Sequence, residues 1–418
     1  MAEEVAKSQV SLITDEVKAA GLQVKPTIAN FYKLMTDHYG NNLRLNVMTG
    51  KPEIWNKHLN TWQEWSDANE SRMRSYFERT YSMYSKAKME DALLMYFNDH
   101  KVNPLMNILE SLEWDGKPRV EHFLKDIMKA DDNDYIRECS RLIFAGGIHR
   151  AYNPGCKFDD MIVLIGDQGA GKSTIVRWLN IEEQFYQEIK TITGKEGIEA
   201  IRGVWIGEVS ELMAMTRVKE AEAVKAYITS QKDSYRPPYE KNVQTIPRRC
   251  VFIGTTNNPQ FLTDKTGNRR FYPVKCNSSG YKLLDNEKIV REYIRQAWAE
   301  AVHRYKAGEL QPFAKKEVLD QIRAAQESAM EDDWRIGAIE QYLEDMKKRP
   351  NDTVSVIELW HNALKEPAES KPGRADSIAI TQIVTNIPGW VKCENKISTN
   401  WGRQKAFKKM NAFFPVWR

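Results

Sequence analysis

The sequence feature that most constrains this chain is the glycine-rich segment MIVLIGDQGAGKST at residues 161–174. Its first five residues are apolar and predict a buried strand, and a helix is predicted over residues 174–180. The loop between them follows the pattern G-x-x-x-x-G-K-S, the P-loop, in which glycines let successive backbone N–H groups point at the phosphates of a nucleotide. A strand before the loop and a helix after it are the context that this pattern requires.

We therefore predict that this loop binds a nucleotide. Lys172 would neutralise charge on the β- and γ-phosphates, and Ser173 would supply a hydroxyl ligand to Mg²⁺. The alternative is a glycine turn whose lysine has no ligand. The predicted binding residues are Gly166, Gly169, Ala170, Gly171, Lys172, Ser173 and Thr174.

Composition is that of a soluble globular protein, with 42% hydrophobic and 28% charged residues. The net charge of +4 is too small to indicate nucleic-acid binding by itself. The five cysteines are scattered and the seven histidines isolated, so we expect neither a disulfide framework nor a transition-metal site. No apolar run approaches transmembrane length and the N-terminus has no signal-peptide pattern, which predicts a cytoplasmic protein without a membrane partner.

The order of elements predicts an α/β fold in four regions. Strands and helices alternate after the P-loop, which favours a mostly parallel sheet with the phosphate site at its carboxyl edge. Helices are predicted over residues 70–98 and 378–387, and a loop over 365–377. The predicted regions are an aromatic-rich and helical region at 1–100, a helical layer at 101–155, a P-loop ATPase domain with a helical lid at 156–330, and a basic, winged-helix-like domain at 331–418.

The first region contains a series of aromatic residues in a polar background. Such a series is able to stack nucleic-acid bases, but a small packed α+β core is the commoner reason for it. The series comprises Phe31, Tyr32, Tyr39, Trp55, Trp62 and Trp65.

Acidic residues follow the apolar segment 204–207. Glu208 is predicted at the end of that strand, and Glu211 lies one turn later. A carboxylate beside a P-loop is where an acid binds Mg²⁺, and a second one polarises the attacking water. We assign Glu208 to magnesium and Glu211 to water, although the roles are exchangeable and both residues are also compatible with an ordinary surface loop.

Two further segments complete the predicted catalytic set. Asn257 follows the apolar strand 250–255, and its amide is able to hold a water near the γ-phosphate. Arg269 and Arg270 follow a Gly-Asn turn and suit an arginine finger, which in a ring ATPase reaches the nucleotide of the neighbouring subunit. A turn residue and a solvated basic loop are the alternative interpretations.

Aromatic and basic residues alternate between residues 235 and 249, where Lys241 is placed at the tip of a hairpin. Such a segment is able to grip a phosphate backbone, and a structural loop is an equal alternative. The C-terminal tail adds further basic residues. The predicted DNA-binding residues are Arg236, Lys241, Arg403, Lys405, Lys408 and Lys409.

Five segments in this order resemble the virulence-associated E family, whose members are carried largely by phages and related mobile elements. They are WDGKPR, NPGCKFDDMIVLIGDQGAGKST, VWIGEVSEL, DSYRPPYEK and IGTTNNPQFLTDKTGNRRFYPV. That family is similar to poxvirus-type primase-helicases and to superfamily 3 helicases within the AAA+ class. The resemblance covers about residues 103–274.

The resemblance implies an AAA+-type ring, usually hexameric, that hydrolyses ATP with Mg²⁺ and translocates on single-stranded DNA. By position, Lys172 and Ser173 match the P-loop, Glu208 and Glu211 the Walker B region, and Asn257 sensor 1. One departure is that the Walker B strand lacks the usual adjacent acidic pair.

By position, Arg269 and Arg270 match the arginine finger. Lys241 matches the pore hairpin of superfamily 3 helicases only loosely. Many relatives carry a primase domain upstream. No acidic primase triad is seen in the N-terminal region, so priming would come from a separate primase or host replication protein.

Together these features predict an ATP-dependent DNA helicase or replication-initiator ATPase, with single-stranded DNA and origin duplex DNA as partners. One alternative is an AAA+ switch that binds DNA without unwinding it. A second is a P-loop phosphotransferase acting on a small molecule, which Asn257 and the arginine pair disfavour. A DNA-binding module without catalysis is disfavoured by Lys172, Ser173 and Glu208.

Overall fold

The computed structural model describes residues 24–192, 194–210, 218–235, 244–262, 268–330, 333–346, 353–393, 397–399 and 402–409. The chain divides into two compact units between Met330 and Glu331. None of the helices in the described ranges is both long and apolar enough to cross a membrane.

The first unit begins with a small α+β subdomain. Its four-stranded sheet has the order β3-β2-β1-β4, with β4 parallel to β1 and the other pairs antiparallel. The helices cover one face of this sheet. The elements are α1 (Ile28–His38), β1 (Leu43–Asn46), β2 (Lys51–Asn56), β3 (Thr61–Glu64), α2 (Asp67–Tyr81), α3 (Lys86–Asp99) and β4 (Lys101–Val102).

The aromatic series divides between the core and the surface of this subdomain. Phe31 is buried among apolar side chains of α2 and α3, and the Trp65 ring packs edge-on against Phe97 with 5.6 Å between centroids. Trp55 and Trp62 lie outside that core and face each other across β2 and β3 at 5.4 Å. Core packing therefore accounts for part of the series only.

The single helix predicted over residues 70–98 is wrong. Two helices are present, and the first ends where Ser82 adopts a left-handed backbone conformation with φ of +52°. That conformation is incompatible with a continuing right-handed helix.

A helical layer follows, made of α4 (Pro104–Glu110), α5 (Phe123–Met128) and α6 (Asp134–Tyr152). Side chains of Asn103 and Asn133 cap α4 and α6 by accepting hydrogen bonds from backbone N–H groups. α6 is almost wholly buried, and residue 147 in this helix has to be glycine. A Cβ atom there would lie 2.5 Å from the ring of Trp298.

The centre of the first unit is a five-stranded sheet of order β11-β5-β10-β7-β6, in which every pair is parallel. Four of its strands, β5, β7, β10 and β11, are almost wholly buried, as expected for a parallel sheet covered on both faces, whereas the edge strand β6 is polar and partly exposed. The α/β class and the parallel sheet are as predicted. The elements are β5 (Met161–Ile165), α7 (Lys172–Leu179), β6 (Tyr186–Glu188), α8 (Gly194–Glu199), β7 (Ile206–Ser210), α9 (Val218–Thr229), β8 (Lys232–Tyr235), β9 (Gln244–Pro247), β10 (Val251–Thr256) and β11 (Phe271–Lys275).

Three helices close the first unit, namely α10 (Gly280–Asp285), α11 (Glu287–Lys306) and α12 (Leu319–Ser328). α11 packs against α6, and its Trp298 ring lies 4.3 Å from that of Trp205. The Glu300 carboxylate on the same helix accepts hydrogen bonds from the backbone N–H groups of Arg119 (2.5 Å) and Val120 (2.9 Å). The segment WDGKPR therefore has a structural role against α11.

The second unit is a small α+β domain with its own apolar core. Its three-stranded antiparallel sheet has the order β12-β16-β13, and β14 pairs with β15 as a separate ribbon. The loop predicted over 365–377 is wrong at its end, because α15 begins at Arg374. The elements are α13 (Trp334–Met346), β12 (Thr353–Ser355), α14 (Val356–Glu358) with a π-helical turn at Leu359–Ala363, α15 (Arg374–Asn386), β13 (Trp390–Lys392), β14 (Ile397–Thr399), β15 (Gly402–Gln404) and β16 (Ala406–Lys409).

Candidate nucleotide-binding site

An open cleft of about 1500 Å³ lies at the carboxyl edge of the parallel sheet. The glycine-rich loop, the ends of β6, β7 and β10, and the start of α10 form its walls. Because all five strands are parallel, their carboxyl ends meet here, and side chains from distant parts of the sequence become neighbours.

The glycine-rich loop connects β5 to α7, which begins at Lys172, two residues earlier than predicted. Gly169 and Gly171 have φ angles of +85° and +83°, in the region that favours glycine. At Gly166 a Cβ atom would lie 2.7 Å from the carbonyl oxygen of Cys276. The glycine spacing is therefore required by the backbone of the loop and by its close contact with the segment after β11.

That segment supports the loop from behind. The hydroxyl of Ser278 donates a hydrogen bond to the carbonyl oxygen of Ala170 at 2.6 Å. The backbone N–H of Gly280 donates one to the carbonyl oxygen of Gly169 at 2.8 Å. These contacts satisfy the carbonyl groups of Gly169 and Ala170 within the loop.

Lys172 is only 8% exposed, and its ammonium group donates three hydrogen bonds. The acceptors are the carbonyl oxygens of Gly166 (2.7 Å) and Asp167 (2.9 Å) and the side-chain oxygen of Asn257 (2.8 Å). Burial lowers the pKa of Lys172, while the neighbouring acidic groups act in the opposite direction. The contact joins the lysine of the glycine-rich loop to the asparagine that follows β10.

Glu208 is 1% exposed and accepts hydrogen bonds from three hydroxyl groups. Ser173 Oγ and Thr255 Oγ1 each donate to Oε1 at 2.6 Å, and the Tyr186 hydroxyl donates to Oε2 at 2.6 Å. Charged acceptors make such hydrogen bonds strong, and they compensate the burial of the carboxylate. The prediction that Glu208 ends its strand is wrong, because β7 runs from Ile206 to Ser210.

Tyr186 was not predicted as a site residue, and neither was strand β6. Burial raises the pKa of Tyr186, and its hydrogen bond to Glu208 adds to that effect. The hydroxyl is therefore protonated at neutral pH and acts as a donor. Its ring also lies 5.2 Å from the guanidinium carbon of Arg177 on α7.

Glu188 is a second carboxylate that sequence reasoning missed. It is paired with Glu208 across β6 and β7, lines the cleft, and accepts a hydrogen bond from Ser210 Oγ at 2.5 Å. Its side chain is 40% exposed. The one available signal was the alternation of Tyr186 and Glu188, which places both side chains on one face of a strand.

The two candidate finger arginines are not brought to this cleft. They lie immediately before β11, whose first residue pairs with Met161, the first residue of β5. The length of β5, about 13 Å at the usual rise per residue, therefore separates them from the glycine-rich loop of the same chain. Arg270 forms an ion pair of 3.9 Å with Asp159, and the Arg269 side chain is exposed.

A hairpin is predicted between the strand of Glu208 and the strand before Asn257. The structure has two antiparallel strands there, β8 and β9, which are the arms of this hairpin. Arg248 donates to Asp233 at 2.9 Å across the base, and Arg150 donates to the carbonyl oxygen of Arg248 at 3.2 Å. Lys241, predicted at the hairpin tip, and Arg236, predicted to bind DNA, lie outside the described residues, as does Glu211.

The predicted basic residues of the tail belong to the second unit. Arg403 lies on β15, in register with Ser398 of β14. Lys405 and Lys408 are exposed, and Lys409 is half-buried.

The parallel sheet, the glycine-rich loop and the polar groups around it define an α/β protein with a candidate phosphate-binding cleft. The chain belongs to the virulence-associated protein E-like domain family, whose model matches residues 109–331, more than half of the chain. No curated protein sequence matches it significantly.

The fold is similar to solved structures of the C-terminal region of NrS-1. The apo structure of its A form has a TM-score of 0.50 and 13% sequence identity to this chain. The match covers 92% of this chain and 100% of the other. A further apo structure of that region has a TM-score of 0.49 at 15% identity and covers 91% of this chain and 98% of the other. At this identity the likeness concerns the fold alone.

Proposed function

We propose that this chain is an AAA+-type ATPase that hydrolyses ATP with Mg²⁺ and acts as a DNA helicase or replication initiator of a phage or phage-like element. The observation that carries the proposal is the meeting of Lys172, Ser173, Glu208 and Asn257 at one edge of the sheet, within hydrogen-bond distance of one another in pairs. The family assignment supports the same conclusion.

Each of these residues suits one part of the reaction. Backbone N–H groups of the loop and the first turn of α7 would receive the β- and γ-phosphates, and Lys172 would exchange its protein acceptors for phosphate oxygens. The water oxygen attacks the γ-phosphorus, the bond to the β–γ bridging oxygen breaks, and ADP, phosphate and a proton are released. Asn257 is positioned to orient that water, and Glu211 is the proposed acceptor of its proton.

The residues present also fit a magnesium ion. The Ser173 hydroxyl and Glu208 carboxylate are 2.6 Å apart and offer the oxygen ligands that this cation prefers. The ion would neutralise charge on the β- and γ-phosphates. Tyr186 and Thr255 would keep the carboxylate oriented when Ser173 turns to the metal. This arrangement favours Glu208 as the residue on the magnesium side.

The position of the arginine pair supports a shared active site. Arg269 and Arg270 lie at the sheet edge opposite the cleft, so they would serve a neighbouring subunit in a ring, which we propose to be a hexamer. The β8–β9 hairpin projects from the same edge, because β9 leads directly into β10. We propose that Arg236 and Lys241, which lie in the sequence between β8 and β9, contact single-stranded DNA in the central channel.

The second unit is proposed as a winged-helix domain that binds duplex DNA. The order of its elements and the sheet order β12-β16-β13 with a separate ribbon support this proposal. Arg403, Lys405, Lys408 and Lys409 would contact phosphates. A separate primase or host replication protein is the further partner that we propose.

The test is phosphate release by the purified full chain, with and without single-stranded DNA. We expect release that DNA stimulates and that Lys172→Ala abolishes. Lys195→Ala, which removes an exposed lysine on α8, is the matched control and should retain activity. Equal activity of the two variants would contradict the proposed site. Stimulated hydrolysis without displacement of a complementary strand would replace the helicase assignment by a DNA-dependent switch.

A further inference from the structure

We propose that the second unit recognises a specific duplex DNA sequence through the exposed face of α15, with Arg374 and Gln382 contacting base edges in the major groove. This inference rests on the proposed DNA function and adds to it a reading surface and a preference for sequence. None of the residues assigned so far lies on this helix.

The packing of α15 leaves one of its faces unpartnered. Ile380, Ile383 and Val384 are buried in the core of the second unit, together with Val354 of β12 and Phe407 of β16. The helix is therefore held firmly against the sheet. Its opposite side is exposed to solvent, which is the placement a helix needs to enter the major groove.

Four exposed side chains lie on that side, spaced four, four and three residues apart. At about 100° per residue they fall within an arc of about 80°. They are Arg374, Ile378, Gln382 and Thr385.

The chemistry of this face is unusual for a solvated helix surface. It carries a guanidinium, an amide, a hydroxyl and an isoleucine that is 50% exposed. The one acidic residue of the helix, Asp376, lies off the arc and pairs with Arg335 at 3.1 Å. Guanidinium and amide groups make paired hydrogen bonds with guanine and adenine edges, and an apolar group contacts the thymine methyl. A face without carboxylates also avoids repulsion from DNA phosphates.

Charge in the second unit favours the same partner. Residues 371–418 contain nine Lys and Arg against two Asp and Glu, whereas residues 331–370 contain five against ten. Exposed lysines follow α15 in the chain, namely Lys392 on β13, Lys405 between β15 and β16, and Lys408 on β16. A strongly negative duplex would therefore be attracted to the part of the unit that carries the reading helix.

The test begins with the full chain and a library of random-sequence duplexes, from which bound molecules are selected and sequenced. We expect one enriched sequence. Gln382→Ala should reduce the preference for that duplex over a shuffled one by roughly 5- to 100-fold. Arg374→Lys should do the same, because lysine keeps the charge but lacks the paired donors.

Two controls separate base contacts from general binding. Gln341→Ala removes an exposed glutamine from α13 of the same unit and should leave the preference unchanged. Lys408→Ala should weaken binding to both duplexes equally. It should also lower the slope of the logarithm of the binding constant against the logarithm of salt concentration by about one, the equivalent of one released counterion. Exposed alanine substitutions within helices raise helix propensity, so loss of folding is not expected.

The outcomes distinguish this inference from the function on which it rests. DNA-stimulated phosphate release without any enriched duplex would overturn the reading helix and leave the ATPase intact. Enrichment of single strands alone, or an equal loss of preference in Gln341→Ala and Gln382→Ala, would also overturn it. A sequence preference that Gln382→Ala removes while phosphate release is unchanged would support it.

Discussion

The hydroxyl of Tyr186 provides the sharpest test of the architecture around Glu208. Tyr186→Phe removes one hydrogen bond of 2.6 Å to a carboxylate that is 1% exposed, and it retains the ring beside Arg177. Hydrogen bonds to charged groups contribute about 1.5–3 kcal/mol. Because Ser173 and Thr255 still donate to the same carboxylate, we expect a cost near the lower end, about 1.5 kcal/mol.

The assay is hydrogen exchange of backbone amides in β6 and β7, which reports the local free energy of opening. A cost of about 1.5 kcal/mol corresponds to roughly tenfold faster exchange. The matched control is Tyr152→Phe, which deletes a hydroxyl that donates to Glu110 near the surface and should cost less than about 1 kcal/mol. Exchange in β7 that changes less than twofold, or no more than in the control, would refute the role given to Tyr186.

Two further predictions concern the sheet that carries the site. Gly166→Ala would place a Cβ atom 2.7 Å from the Cys276 carbonyl oxygen and should lower stability by about 1–3 kcal/mol. Gly337→Ala places its Cβ atom in open space on a helix and should not lower stability. Thermal unfolding of the two variants compares their stabilities. Burial and the neighbouring Asp159 raise the pKa of Asp160 to about 7, so the folded state binds this proton more tightly than the unfolded state. The stability from Asp160 should therefore be complete below about pH 4 and fall as the pH rises to about 7, a decline that Asp160→Asn should lack in urea unfolding.

The conformation of the glycine-rich loop was predictable because its constraints are local. The spacing of glycines, the strand before them and the helix after them are all visible in one short segment, and the sheet class followed from alternation. The helix predicted over residues 378–387 is present, but its first four residues were assigned to the preceding loop because Pro372 and Gly373 resemble loop residues. In the structure Gly373 immediately precedes the helix as its N-cap residue.

The polar contacts around Glu208 could not be predicted, since they depend on the order of strands. Tyr186 and Glu188 precede Glu208 by about twenty residues and become its neighbours only because β6 pairs with β7. A strand of three residues has too little periodicity to be recognised. Likewise the contact between Lys172 and Asn257 requires β5 and β10 to be adjacent.

The segment WDGKPR shows the opposite limit. It is one of the segments on which the sequence resembles the family, but the sequence says nothing about its role. In the structure Asp115 and Arg119 form an ion pair of 2.7 Å, and Glu300 holds the adjacent backbone. The segment does not line the cleft, so its resemblance to the family does not by itself give it a role in the candidate site.

The most direct test of the central claim is phosphate release by an equal mixture of two variants, Lys172→Ala and the double variant Arg269→Ala with Arg270→Ala. Each variant alone should be inactive. In mixed rings roughly one interface in four would combine an intact P-loop with intact arginines of the neighbour, so about a quarter of the activity should return. Two inactive variants whose mixture stays inactive would contradict a site shared between subunits, and hydrolysis that persists in Lys172→Ala would contradict the site itself.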